Sequence, residues 1–392
     1  MLEQYINSLL LNLEDVIVDD VVQTEDGTHI IAHFLEQEVR VCPRCGSTFC
    51  HVHDHRWQIM KDLPAYGKNT YLHMDKRRYA CQECGKRFYE PNKIQPKYYH
   101  CTSRLIADVL DGFKETVSAT HIAREHNIST STALRYFDWI GFNCKSMPNV
   151  LSIDEFKGNA DGQKYQCIIT NPNKQKVIDI LPDRYEDHLI EYFRQFSNRN
   201  SVEYFVTDMN VHFLRVAETC FPKAKVITDR FHVIRLVSWA VENVRKNVQK
   251  ELSDKYRKYF KKSRKLLYTK INELDDYDKD KLALMLEISP KLADAYRLYW
   301  RFIDAIYSSN STIGKEKLRN WLIDAEVSGV SEFDSATTAI HNWDKYILNS
   351  MDCPYTNGFT EGCNNKTKVL KRACYGIQRF DRLRKRVLYL SA

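Results

Sequence analysis

From residue 150 onward, apolar and polar positions follow a regular rhythm. VLSIDEF, KYQCIIT and QKVIDIL are short apolar or alternating runs separated by turns rich in Gly, Asn and Pro. Runs of that length predict three antiparallel strands. YEDHLIEYFRQF changes the period, with Leu189, Tyr192, Phe193 and Phe196 on one side of a helix. VEYFVTD, VHFLRVAETCF, AKVITD and RFHVIRLVSWAVENV continue as strand, helix, strand and long helix. Three strands, helix, strand, helix, strand is the order of a ribonuclease-H-like α/β core. Residues from about 245 to 350 read as all-helical, an insertion before a closing helix that begins near Gly358 and runs through the basic C-terminus.

Upstream the pattern is different. Residues 1–40 predict a short helix and then a hairpin, VVQTEDGTHIIAHF, turning at Asp26-Gly27. Residues 41–100 hold most of the close-set Cys and His with little helical period, and 101–147 are helical in three short pieces. Pro148 marks the start of the last region, 148–392. A chain of 392 residues, 43% of them hydrophobic, is too long for one ordinary domain.

Two CxxC knuckles stand about forty residues apart, Cys42 with Cys45 and Cys81 with Cys84, each followed by Gly. Four thiolates on two tight turns make the closed tetrahedral site that structural Zn²⁺ prefers. Neither knuckle follows a strand and opens a helix, as a redox pair would. Cys50, His51, His53 and His55 read as surface or packing residues. The fold class is therefore multidomain α+β: a zinc ribbon, a helix-turn-helix and a ribonuclease-H-like core.

The helix-turn-helix is SATHIAREHNISTSTALRYFDWI. His121–Glu125 form its first helix and Asn127-Ile128-Ser129 the turn. Thr130 or Ser131 caps the second helix, Ala123 permits close approach, and Ile128 plugs the turn. Ser131, Thr132 and Arg135 would then face the major groove of double-stranded DNA.

Asp154 and Asp208 end the first and fourth strands of the core, which in this fold lie side by side, and Glu361 begins the closing helix. Three carboxylates converging on one sheet edge suit Mg²⁺ or Mn²⁺, which take oxygen ligands. Asn364, Asn365 and Lys368 follow on neighbouring helix faces, suited to holding the phosphate being cut. Asp229 ends the fifth strand and ranks as a supporting residue or helix cap. Glu155 points to the opposite strand face.

Charge adds a hint. The formal net charge is +7, and VRKNVQKELSDKYRKYFKKSRKLLYTK and the run Arg379, Arg382, Arg384, Lys385 and Arg386 concentrate it where a phosphate backbone could run. The N-terminus shows no signal peptide, and no stretch approaches the roughly 18 apolar residues of a membrane span. A cytoplasmic chain with no membrane partner is expected, its twelve cysteines serving as ligands or buried thiols, not disulfides.

CPRCG with CQECG, ITDRFHVIRL, and NGFTEGCNNKTKVLKRACYG followed by FDRLRKRVL resemble the transposases of bacterial insertion sequences, specifically the ISL-three family, over nearly the whole chain. The resemblance implies a DDE triad of Asp154, Asp208 and Glu361 binding Mg²⁺. It further implies recognition of the element's own inverted repeats, nicking at its ends, and attack of the freed 3′-hydroxyl on target DNA. Ile377 stands where relatives commonly have an aromatic after the Gly. Bacterial location, on the nucleoid when DNA-bound, and a homo-oligomer on paired ends belong to the same expectation. The alternatives are a ribonuclease-H-like DNA nuclease without strand transfer, and a non-catalytic DNA-binding regulator.

Overall fold

The computed structural model describes residue 13 and residues 15–35, 40–90, 92, 94–261 and 263–391; the short helix expected at the N-terminus lies outside the described residues. The chain forms two compact units. The first comprises Met1–Phe142, Val369–Ile377 and Asp381–Leu390, and the second is chiefly Asn143–Lys368.

In the first unit, β1 (Val16–Gln23) and β2 (Gly27–Phe34) make the expected antiparallel hairpin about Asp26-Gly27. Val16, Val18, Ile30, Ala32 and Phe34 alternate onto a buried face shared with Met60, Leu72 and Met74. Those last three belong to β3 (Cys50–Ala65) and β4 (Lys68–Cys81), a long antiparallel ribbon. Tyr66 and Gly67 connect them with φ of 52° and 76°, the two-residue geometry that matches strand twist. β2 also pairs in parallel with β4, and β5 (Arg87–Tyr89) adds to β4, so residues on both sides of residue 40 share one sheet.

Three helices follow: α1 (Ser103–Gly112), α2 (Ala119–Glu125) and α3 (Thr130–Phe137). Thr102, Ser118 and Ser129 cap them, each side chain accepting from an amide of the first turn. The cap of α3 is thus Ser129, one or two residues earlier than expected. Asn127 takes φ of 51° and the Ile128 amide returns to the Ala123 carbonyl, which closes the turn early. Leu105, Val109, Phe113, Ile122, Ala123, Ala133 and Phe137 form the core, with Ile128 packed against it.

The second unit is built on a five-stranded sheet in the order β10-β9-β6-β7-β8. β7 (Gln166–Asn171) pairs antiparallel with both β6 (Val150–Phe156) and β8 (Lys176–Leu181). α4 (Glu186–Arg194) leads to β9 (Tyr204–Thr207), parallel to β6. α5 (Val211–Cys220) leads to β10 (Lys225–Thr228), parallel to β9, and α6 (Arg230–Glu251) follows. The first and fourth strands of this sheet are therefore neighbours. Leu151 and Ile153 bury one face of β6 with Leu189, Phe193, Phe205 and Phe213. Ser152 and Asp154 take the other.

α6 continues into a helical body of α7 (Asp254–Phe260), α8 (Arg264–Tyr268), α9 (Asp276–Ile288), α10 (Pro290–Ile306), α11 (Ser311–Val327) and α12 (Asp334–Met351). Val233, Val237, Val241 and Val244 of α6 recur every three or four residues into a core with Leu298, Phe302, Trp321, Phe333 and Ile340. Arg245, within the basic stretch, is buried there, bonded to Glu242 and to the Phe260 carbonyl.

The single closing helix expected is two. α13 (Gly358–Ala373) stops because Tyr375 and Gly376 adopt φ of 54° and 96°, the Gly376 amide returning to the Lys371 carbonyl at 2.8 Å. α14 (Phe380–Leu390) then packs within the first unit. Its cations are used internally, contrary to the expectation that they follow a phosphate backbone. Arg382 grips Asp138 at 3.0 and 2.7 Å, Lys385 and Arg384 donate to the carbonyls of Asp138 and Phe142, and Arg386 donates to those of Glu115 and Val117 at 2.7 and 2.6 Å. Only Arg379 of that run lies exposed outside these contacts. Arg386→Ala should therefore cost about 2 kcal/mol of stability in urea unfolding. Arg379→Ala should cost less than about 0.5 kcal/mol.

Candidate metal centres

Gly46 and Gly85 sit just past the knuckles at φ of 75° and 67°, and their amides return to the Cys42 and Cys81 carbonyls at 3.0 Å. Only a residue at ease in the left-handed region turns the chain so sharply. Cys42 and Cys84 Sγ lie 3.6 Å apart, as do those of Cys45 and Cys81. A tetrahedron with Zn–S of about 2.3 Å puts its sulfurs about 3.8 Å apart, so the four residues fit structural zinc. The Cys84 amide, more than burial opposing it, holds the Cys81 thiol down at about 6. Cys50, His51, His53 and His55 form no further cluster among the described residues; His51 and His53 are exposed and His55 pairs with Asp75 at 2.9 Å.

In the second unit, Asp154 stands near the end of β6, Asp208 follows β9, Asp229 follows β10, and Glu361 lies in the first turn of α13. What seats α13 is a buried polar seam against the sheet. The Ser152 hydroxyl donates to Asn357 Oδ1 at 2.6 Å, and Thr360 bonds both Ser152 (2.9 Å) and Thr170 (2.8 Å). One turn further, Asn364 Nδ2 donates to Asp154 Oδ2 at 2.8 Å. Asp154 is 8% exposed. Burial first, then the charge of Asp208, push its carboxyl up to about 7, with Glu361 adding to the effect. Burial likewise raises Asp208, against the opposing pull of His232.

Asp208 Oδ1 is buried with no hydrogen-bond partner, as are Asn364 Oδ1, Thr207 Oγ1 and Thr228 Oγ1. Unpartnered oxygens on Asp208 and Asn364, with two mutually repelling carboxylates, have the hard-donor chemistry that Mg²⁺ or Mn²⁺ takes, but among the described residues Asp154 and Asp208 join no group of three ligand atoms within 4.8 Å.

Asp229 occupies the cap position of α6 but makes no capping bond. Its Oδ2 instead meets His232 Nδ1 at 3.1 Å, and its Oδ1 accepts the Asn357 amide at 3.4 Å. His232 Nε2 then lies 3.7 Å from Glu361 Oε1. Ligand atoms of Asp229, His232 and Glu361 all fall within 4.8 Å of one another. The bond to Asp229 raises the proton affinity of His232, with burial opposing it. Sequence reasoning passed over His232; the signal was its three-residue spacing from Asp229 at a helix start, which puts both on one face.

Asn364, expected to hold the phosphate being cut, is 5% exposed and instead donates to Asp154. Asn365 and Lys368 are exposed. Glu155 points away and pairs with Arg184. On α3, Ser131 and Arg135 are exposed, whereas Thr132 is half-buried with its hydroxyl 2.8 Å from that of Ser129.

A family model for transposases of the ISL3 group matches residues 151–387. Another, for the zinc-finger of the transposases of IS204, IS1001, IS1096 and IS1165, matches residues 38–84. The transposase for insertion sequence element IS1001 of Bordetella parapertussis is 24% identical over 379 residues, 92% of this chain and 91% of its own. A Lactococcus lactis protein named an ATP-dependent protease is 29% identical over 139 residues, 35% of this chain and 39% of its own, too short a match to carry an argument.

Asp154 returns to the ordinary value of 3.8 on unfolding. Between about pH 4 and pH 7 the metal-free folded chain thus holds a proton that the unfolded chain has released, and stability falls as pH rises. A cation displaces that proton. The rise in thermal midpoint with millimolar Mn²⁺ should be larger at pH 8 than at pH 5 and absent in Asp154→Asn; equal rises at both pH values would exclude this site. Zinc content should stay near one per chain in Asp154→Asn and fall in Cys42→Ser.

Proposed function

Because this chain belongs to the ISL3 transposase family, we propose that it binds the terminal inverted repeats of its own insertion sequence and cuts and rejoins DNA there. The observation that carries the reading is the buried, mutually repelling pair Asp154 and Asp208 with Glu361 on a helix seated beside them. We take the sheet as a ribonuclease-H-like core, with residues 148–392 as the catalytic domain and the helices from about 245 to 350 as its insertion.

Asp154, Asp208 and Glu361 would hold Mg²⁺ or Mn²⁺, which supplies charge neutralisation at the attacking and leaving oxygens of a phosphodiester. Asn364 fixes the orientation of Asp154, and His232, held by Asp229, braces Glu361. Asn365 and Lys368, exposed on α13, would take the neighbouring phosphates. Water attacks the phosphodiester at the element end and frees a 3′-hydroxyl. That hydroxyl then attacks a target phosphodiester, whose own 3′-oxygen leaves, so no Tyr or Ser nucleophile is required.

α1 to α3 act as a helix-turn-helix, with Ser131, Thr132 and Arg135 reading double-stranded DNA in the major groove. Exposed cations of α7 and α8, among them Lys255, Arg257, Lys258 and Lys265, follow the backbone. The protein works in the bacterial cytoplasm, on the nucleoid when bound, as a homo-oligomer on paired ends.

The test incubates the protein with DNA carrying the element end and a plasmid target, in Mg²⁺, Mn²⁺ or EDTA. We expect metal-dependent nicking and joined product. Glu361→Gln and Asp208→Asn should each lower both on the order of 10³-fold, the loss of several kcal/mol of charge stabilisation. Cutting without joining would reduce the protein to a nuclease, and binding without cutting to a regulator.

A further inference from the structure

The helix that starts at the carboxylates also carries an exposed row of side chains with no role so far. Phe231, Arg235 and Trp239 stand four residues apart on the outer face of α6, Phe231 57% and Trp239 51% exposed. Val233, Val237 and Val241 of the same helix face the core. The Arg235 guanidinium lies 5.1 Å from the Trp239 ring centroid and 6.0 Å from that of Phe231, so the three form a ladder. Phe231 meets the His232 ring edge-on at 5.9 Å, and the charge of Arg235 acts on Asp208. At about 1.5 Å per residue, Trp239 stands about 15 Å along the helix from Asp229. Exposed Lys246 and Lys250 continue beyond it.

Single apolar residues are ordinary on a protein surface. A row of two large rings with a guanidinium between them, running out from the catalytic carboxylates, is another matter. Its chemistry suits a polyanion that presents flat aromatic faces, and base stacking with cation–π support is how unpaired nucleic-acid strands are held. A closed duplex hides those faces.

We propose that Phe231, Arg235 and Trp239 form a stacking platform for unpaired bases of the strand next to the phosphate being cut, so that the duplex opens locally when the element end is engaged. The proposal rests on the reading of the carboxylates as a DNA-cutting centre.

Full-length protein in EDTA would be titrated against fluorescent oligothymidine and against duplex of equal length. Phe231→Ala/Trp239→Ala should weaken oligothymidine binding about tenfold or more, with duplex affinity within about twofold of the parent and an unchanged salt slope. Trp239→Tyr should retain most of the affinity. Arg235→Ala should lower the salt slope by about 1. Oligothymidine bearing 5-iododeoxyuridine should crosslink to the peptide containing Trp239. Unchanged oligothymidine affinity in the double variant, or crosslinks elsewhere, overturns the platform while cleavage by the parent protein leaves the transposase reading standing. A double variant that loses oligomer mass in light scattering but keeps its affinity makes the row a contact between copies and also overturns it. A parent protein that binds neither DNA overturns both readings.

Discussion

A carboxylate withdrawn from water takes up a proton unless a cation or a set of donors holds its charge, and a second carboxylate beside it sharpens the demand. Asp154 and Asp208 are in that situation, and the second unit is arranged around it. The parallel pairing of β6 with β9 brings their strands together, and helices α4 and α5 fill the far face with Leu189, Phe193 and Phe213. The near face keeps polar atoms that a stability-only core would not. Asn364 meets part of the demand with one amide; Asp208 Oδ1 goes unmet. Local cost of this kind, carried by a well-packed scaffold, marks a functional site more often than a structural one.

Two helices transmit the constraint outward. α13 is seated by Asn357, Thr360 and Asn364, spaced as a core-facing stripe but polar, so Glu361 is presented by hydrogen bonds to the sheet, not by greasy contact. Such a seam specifies one rotation of the helix, because a slip by one residue would leave Ser152 and Thr170 unsatisfied in the interior. α6 carries Asp229 and His232 at its start and then supplies the valine stripe of the helical body. α6 therefore belongs both to the helical body and to the groups around Glu361.

Much of this was legible in the sequence, and what was not has physical reasons. Alternating runs revealed the strands, and acids at strand ends are conspicuous because that is where a side chain leaves the sheet. The knuckles with their glycines were equally plain. His232 escaped notice because its meaning depends on Glu361, 129 positions later in the chain. Asn364 was assigned to the phosphate because an amide beside Glu361 can serve either a substrate or a neighbouring carboxylate; only its partner Asp154, 210 positions earlier, decides between them. The cations of α14 misled for the same reason: the acceptors of Arg384, Lys385 and Arg386 are carbonyls of residues 115, 117, 138 and 142, invisible to any charge pattern, and that of Arg382 is the Asp138 carboxylate, 244 positions earlier. The break at Tyr375-Gly376 left a trace in the Gly, but a helical period resuming after it concealed the stop.

The two metal centres divide the work by donor chemistry. Four thiolates close a tetrahedron and leave no position for a substrate oxygen, so the ribbon can only hold its own strands in place. Oxygen donors at the sheet edge are hard, incomplete and partly unpartnered, which favours an ion that keeps room for further oxygens. Soft and hard donors on separate units would keep zinc and a hard divalent cation from competing for the same ligands. On the reading proposed above, phosphodiester chemistry would belong to the second unit, and the closed thiolate site of the first would contribute to it only by what it holds.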